Sequence, residues 1–155
     1  MKALADALST NQCLEVLCLD GNRISDEGVI VITAALSVNN ALKILSLTNN
    51  KVGDKGVKAL ADALSTNHCL ESLGLGGNRI SDEGAISIAA ALRVNDTLQK
   101  LTLDINLIGD EGAIAIAFSL KLNRSLKLID LKHNCNISEL TMQYIASTMR
   151  KRNYV

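Results

Sequence analysis

Proline and tryptophan are absent from this 155-residue chain, which has one phenylalanine and two tyrosines, Phe118, Tyr144 and Tyr154. A core without large rings has to be assembled from Leu, Ile, Val and Ala, a composition suited to regular repetition. Excess charge of one sign is also lacking. Sixteen Lys and Arg balance sixteen Asp and Glu, so no net field draws in a polyanion, and neither nucleic acid nor an anionic membrane is expected as a partner. Long apolar runs are missing too. The longest uncharged stretch, Gly28 to Leu42, includes Asn39 and Asn40 and falls short of the roughly 20 apolar residues that cross a bilayer. Lys2 is followed by Ala3, Leu4, Ala5 and then Asp6, which leaves no apolar segment for a secretory signal. A soluble, cytoplasmic chain is therefore expected, with Cys13, Cys18, Cys69 and Cys135 as reduced thiols. With 48% hydrophobic and 21% charged residues, the chain buries a core, and its length suits a single domain.

What is present is self-similarity. KALADALSTN occurs at Lys2 to Asn11 and again at Lys58 to Asn67, and GNRISDEG at Gly21 to Gly28 and again at Gly77 to Gly84. Halving that offset gives a unit of 28 residues, marked by Leu14, Leu42, Leu70, Leu98 and Leu126 and by Asn22, Asn50, Asn78, Asn106 and Asn134. Each unit opens LxxLxL, as in Leu98, Leu101 and Leu103, with Ile129 replacing one Leu in the fifth. The last two of these positions alternate as a strand requires and share one face.

The second half of each unit changes period. Asp26, Asp54, Asp82 and Asp110 stand where a helix N-cap is wanted, each followed two residues later by Gly28, Gly56, Gly84 or Gly112. Val29, Ile32 and Leu36 then form one helical stripe, repeated as Val57, Leu60, Leu64, as Ala85, Ile88, Leu92 and as Ala113, Ile116, Leu120. Asn39, Asn67, Asn95 and Asn123 follow the helices, where a left-handed Asn is expected to end each one.

A strand and a helix of this size cannot bury their apolar faces alone, so the units must stack, strand beside strand and helix beside helix. Strands sit roughly 4.8 Å apart and helices roughly 8 to 10 Å. The expected α/β fold is therefore a curved solenoid with the parallel β-sheet on the concave side and α-helices on the convex side. The asparagines that follow the strands are expected to be buried, bonding backbone groups that the turn leaves unpaired.

LxxLxLxxN followed by Ile or Val, Asp, Gly and an Ala-rich helix resembles the ribonuclease-inhibitor class of leucine-rich repeats over essentially the whole chain. The wording of the helix and linker, as at Gly84 to Leu101, is most similar to the repeats of NOD-like receptors. The resemblance implies a non-enzymatic module for protein recognition, part of a larger cytosolic receptor or adaptor, whose partner is a protein of unstated identity. No cofactor and no small-molecule substrate are expected. The expected division is a partial repeat at 1–13, full repeats at 14–41, 42–69, 70–97 and 98–125, and a C-terminal capping repeat at 126–155. Residues 1–13 match only the helical half of a unit, which reads as a fragment lacking something upstream.

The repeats also act as an internal control on chemistry. His68 aligns with Gln12, Asn40, Asp96 and Arg124 in a solvent-facing linker, and His133 with Gly21, Asn49, Gly77 and Ile105 at strand ends, so no triad is supported. There is no CxxC pair for zinc, and the Gly74, Gly76, Gly77 run lacks the Gly-Lys-Ser or Gly-Lys-Thr of a phosphate loop.

Two surfaces remain as candidates. The non-core alternates of the strands form the concave face: Val16, Cys18, Asp20; Ile44, Ser46, Thr48; Ser72, Gly74, Gly76; Lys100, Thr102, Asp104; Leu128, Asp130, Lys132. The third strand's Ser72, Gly74 and Gly76 are expected to leave a shallow, bare trough at the middle. The second surface is the loop edge, where Arg23, Lys51 and Arg79 form a basic row that Glu27, Asp54 and Glu83 are positioned to neutralise. In repeat proteins of this class that activate the Ran GTPase, this edge engages the GTPase, so a GTPase-activating protein of the Ran type is the alternative reading. On the convex side, Ala115, Phe118 and Leu122 lie beside Ser87, Ala90 and Val94, and an apolar strip exposed there would suggest self-association or a neighbouring domain.

Overall fold

The computed structural model describes residues 1–152; Asn153, Tyr154 and Val155, the end of the expected capping repeat, lie outside them. Helices and strands alternate along the chain as α1 (Lys2–Thr10), β1 (Val16–Cys18), α2 (Asp26–Leu36), β2 (Ile44–Ser46), α3 (Asp54–Leu64), β3 (Ser72–Gly74), α4 (Asp82–Leu92), β4 (Lys100–Thr102), α5 (Asp110–Leu122), β5 (Leu128–Asp130) and α6 (Glu139–Arg152). The strands form one parallel sheet in sequential order, with Val16, Ile44, Ser72, Lys100 and Leu128 in register. One step along the sheet is thus one 28-residue unit, and the fold is the curved solenoid that the period predicts.

The core lies between sheet and helices. Leu45, Leu47, Leu73, Leu75, Leu101 and Leu103 from the strands are 0% exposed, as are Val29, Ile32, Val57, Leu60, Ala85, Ile88, Ala113, Ile116 and Leu120 from the helical stripes. Val52, Ile80 and Ile108, which follow the ladder asparagines, are sealed with them. Fully burying one such side chain contributes roughly 1.5 to 3 kcal/mol, and the stack repeats that gain through its middle units, whereas in the first unit Leu14 is 38% exposed and Leu17 and Leu19 are partly buried.

Three ladders of polar side chains bind each unit to the next. In the first, the Asn78 amide donates to the carbonyls of Leu47 (3.0 Å) and Leu75 (3.0 Å), and its oxygen accepts from the Val52 N–H (3.0 Å). Asn50, Asn106 and Asn134 repeat this pattern, each between its own strand and the preceding one, as expected.

The second ladder corrects an expectation. Asn39, Asn67, Asn95 and Asn123 are not left-handed, and Asn123 is extended at φ −66° and ψ 133°. They are instead buried. The Asn95 amide donates to Leu64 O (2.8 Å) and Asn67 O (3.0 Å) of the previous unit, while its oxygen accepts from the N–H groups of Thr97 (3.1 Å) and Leu98 (2.8 Å). One side chain thus closes the helix-to-strand turn and satisfies the helix end beside it, which an αL cap could not do.

The aspartates form the third ladder and are also displaced from their expected role. They occupy the first helical position, and the N-caps are Ser25, Gly53, Ser81 and Gly109. Each carboxylate caps the following helix instead. Asp54 accepts from the N–H groups of Ser81 (2.8 Å) and Gly84 (3.0 Å) and from the Ser81 hydroxyl (2.6 Å), and Asp82 from the N–H groups of Gly109 (2.7 Å) and Gly112 (2.9 Å). The Asp-x-Gly spacing follows from this: a Cβ on Gly84 would stand 2.6 Å from Asp54 Oδ1, and one on Gly112 2.7 Å from Asp82 Oδ1.

Gly84→Ala will therefore lower stability by about 1–3 kcal/mol through overpacking, although Ala is the better helix former by about 1 kcal/mol. Asp54→Ala will cost about 0.5–2 kcal/mol as a lost cap. Urea denaturation checks both, and a Gly84→Ala protein as stable as the parent would show that the missing Cβ does not position the carboxylate.

At the C-terminal end, Asp110 accepts from the Ser138 N–H (2.8 Å) and hydroxyl (3.0 Å). The Ser138 N–H, followed by the Thr141 and Ser138 hydroxyls, holds the Asp110 carboxyl below its ordinary value. A carboxyl depressed in the folded state stabilises fully above its unfolded pKa of about 3.9 and loses that contribution as pH falls through the lower folded value. Asp110→Asn will accordingly flatten the fall of the urea midpoint between about pH 4 and pH 2; an unchanged slope would mean that the Ser138 bonds do not persist in solution.

Candidate interaction surfaces

The concave face is built by strands only three residues long, so the residues just past each strand belong to it as well. Asp20, Lys100 and Lys132 are exposed; Ser46, Thr48, Ser72, Thr102, Asp104 and Asp130 are half-buried. Neighbouring strands bring the first of these together. The Asp20 carboxylate accepts from the Ser46 hydroxyl (2.5 Å) and the Thr48 N–H (2.9 Å), and Asp130 accepts from the Lys132 N–H (3.0 Å). Val16, Ile44 and Leu128 add exposed apolar surface where their strands begin.

The expected trough at the third strand is partly filled. Gly76 is buried, and a Cβ on it would stand 2.5 Å from Asp104 Oδ1; one on Gly74 would stand 2.8 Å from Ser46 Oγ. The two glycines make room for side chains of adjacent strands.

On the loop edge the expected neutralisation is not made by direct ion pairs. Arg23, Lys51 and Arg79 are exposed, and no ion pair reaches any of them among the described residues. Two of the three expected acids are engaged elsewhere. Asp54 caps α4, and Glu27 accepts from the Ser25 hydroxyl (2.5 Å), which holds its carboxyl below the ordinary value. The same edge carries residues that sequence reasoning missed. Gly21, Asn49, Gly77, Ile105 and His133 all adopt positive φ, in a turn where Gly and Asn fit readily. Ile105 does not fit that conformation. A β-branched residue at φ 52° stores roughly 1–3 kcal/mol of strain, and Ile105 is 55% exposed. Leu107, which continues the row of Arg23, Lys51 and Arg79, is 58% exposed. Aligning the repeats reveals both as breaks in otherwise polar or glycine rows.

The convex strip is exposed as its spacing suggests: Phe118 by 56%, Leu122 and Val94 by 61%. Phe118 meets Tyr144 of α6 edge-on at 6.5 Å, with Lys121 Nζ 4.8 Å from the Phe118 ring centroid. Elsewhere, His68 Nδ1 lies 3.2 Å from Asp96 Oδ1 in an exposed pair, and the adjacent Cys69 thiol makes no hydrogen bond to the ring. Among the described residues no three His, Cys, Asp or Glu side chains are grouped to hold a metal, and no helix is long and apolar enough to cross a membrane.

With the repeats and their ladders in place, the class is defined. The leucine-rich repeat family model matches residues 10–32, 38–61, 66–89 and 94–117, more than half of the chain, and the protein belongs to that family. Its fold is similar to leiomodin-1 actin-binding site 2, with a TM-score of 0.85 and 22% identity over 96% of this chain and 87% of that one. The tropomodulin C-terminal domain of Caenorhabditis elegans follows, with a TM-score of 0.83 and 15% identity over 98% of this chain and 92% of that one. The Mex67:Mtr2 subunits of Chaetomium match less well, with a TM-score of 0.54 and 19% identity over 96% and 98%. No curated protein sequence matches the chain.

Inward and outward positions on one strand should separate sharply in stability. Leu101→Ala will cost about 2–5 kcal/mol through the cavity it leaves, whereas Lys100→Ala on the same strand will stay within about 0.5 kcal/mol. Equal costs in urea denaturation would contradict the assignment of faces.

Proposed function

We propose that the chain is a non-enzymatic protein-interaction scaffold whose partner lies across the concave sheet, contacting Asp20, Ser46, Thr48, Ser72, Gly74, Gly76, Lys100, Thr102, Asp104, Asp130 and Lys132. The observation that carries this reading is the separation of duties along each strand. Leucines hold the core and three ladders hold the turns, while the concave positions change from unit to unit without disturbing either. Leiomodin-1 offers a precedent for the fold in binding, since the matched structure is an actin-binding site; at 22% identity the likeness carries the fold and leaves the partner of this chain open to another protein.

On the same reading the chain is a single domain over 1–155, with 126–155 as its capping repeat. The domain belongs to a larger cytoplasmic receptor or adaptor of the ribonuclease-inhibitor class, similar in its repeats to NOD-like receptors. Exposed Val16, Ile44 and Leu128 supply the apolar anchors, and Lys100 and Lys132 the charges that orient the partner. The Ran-type alternative draws its support from the unpaired Arg23, Lys51 and Arg79.

Proteins recovered from lysate by the parent chain, but not by Ser72→Arg or Thr102→Arg, identify the concave partner; Lys58→Glu on the helical side serves as the control. Recovery unaffected by the concave changes would overturn the reading. Added in catalytic amounts, the chain is expected to leave GTP hydrolysis by Ran unchanged, and many-fold acceleration would favour the alternative.

A further inference from the structure

The loop edge carries two features that a solvated rim does not need. Three cations stand one unit apart with no ion pair among the described residues, and the nearby carboxylates of Glu27 and Asp54 are bonded to Ser25 and to the start of α4. The fourth unit then replaces the cation by Leu107 and places Ile105, β-branched and more than half exposed, in a left-handed turn that Gly or Asn fills in the three preceding units. Neither apolar side chain is sealed in the core, so the backbone strain at Ile105 is not offset by burial. Strain retained at an exposed position points to a contact made outside the fold.

We infer that this edge is a second docking surface, distinct from the concave sheet, for an extended acidic segment of a partner protein that carries an apolar anchor. The acidic side chains lie along Arg23, Lys51 and Arg79, and the anchor covers Ile105 and Leu107. Strand spacing puts Leu107 roughly 14 Å from Arg23, a span that four or five extended residues cover. The row is one residue wide. A chain fits such a row better than a bilayer does, because an extended segment can follow a single file of side chains, whereas an anionic plane would also meet Glu27, Glu83 and Glu111 at the starts of the adjacent helices. Charge supplies the steering and salt dependence, and the apolar pair supplies a desolvated anchor.

The test uses a fluorescein-labelled peptide with four glutamates and two leucines in its central segment, in both orders, and fluorescence anisotropy at low and physiological salt. Saturable binding is expected that weakens with salt and with replacement of the glutamates by glutamine or the leucines by serine. Arg23→Glu, Lys51→Glu and Arg79→Glu together will weaken it at least ten-fold, and Leu107→Ser at least three-fold. Ile105→Gly provides a readout that a merely structural role would not give: the denaturation midpoint rises as the turn relaxes, while peptide affinity falls. Ser72→Arg, which probes the concave reading, will leave this binding unchanged, so the two surfaces fail separately. Absence of saturable binding, binding indifferent to the charge reversals or to both Leu107→Ser and Ile105→Gly, or binding lost with Ser72→Arg overturns the inference. So does stronger association with vesicles of phosphatidylserine and phosphatidylcholine that requires the same residues.

Discussion

Satisfying backbone groups at the ends of very short elements is the constraint on which this structure depends. Three-residue strands and helices of three turns leave a large share of their N–H and C=O groups in turns, and many of these lie beneath the helices where water does not reach. Asn78, Asn95 and Asp54 show the solution. Each reaches about one unit along the chain to bond groups that its own unit and the adjoining one leave open. Removing one of these side chains from the stack would leave those groups buried and unpaired, at roughly 1–3 kcal/mol apiece. The ladders therefore hold the stack together for polar as well as apolar reasons.

The ladders also explain which positions vary. Asn, Asp and Gly recur because each contacts the adjoining unit, and the leucines recur because they fill one continuous core. Many of the positions between these face solvent and carry no ladder contact. That freedom yields a polar concave sheet, a loop edge with cations and an apolar pair, and a helical side where Phe118 and Tyr144 meet. Exposed Arg23 and His133 also adopt positive φ, but at Ile105 the solvent-facing residue in that conformation is β-branched and conflicts with the backbone beneath it. The conflict is informative because relieving it would need only the Gly or Asn that the preceding units use.

The sequence by itself determined the architecture of this protein. A strict 28-residue period leaves only stacking, LxxLxL places the strand leucines on one face, and the helical stripes oppose them, all by spacings that lie within one unit. Burial of Asn50, Asn78, Asn106 and Asn134 was legible for the same reason, since a polar residue repeated without change beside core leucines needs backbone partners, but Asn22 in the first unit is exposed.

Tertiary structure decided whatever depends on the neighbouring unit. Asp54 looks like a cap for its own helix, yet its carboxylate reaches the next one, because stacking brings the N-terminus of α4 within hydrogen-bond distance. Asn95 looks like a left-handed stop, yet it has no positive φ and its amide bonds the end of the preceding helix. Gly76 looks like open space, yet Asp104 of the adjacent strand occupies it. The cations at Arg23, Lys51 and Arg79 look paired with nearby acids, yet the carboxylates of Glu27 and Asp54 are bonded elsewhere. Local spacing fixes where a side chain leaves the backbone, but the distance to a group in the adjoining unit is set only when the units close-pack.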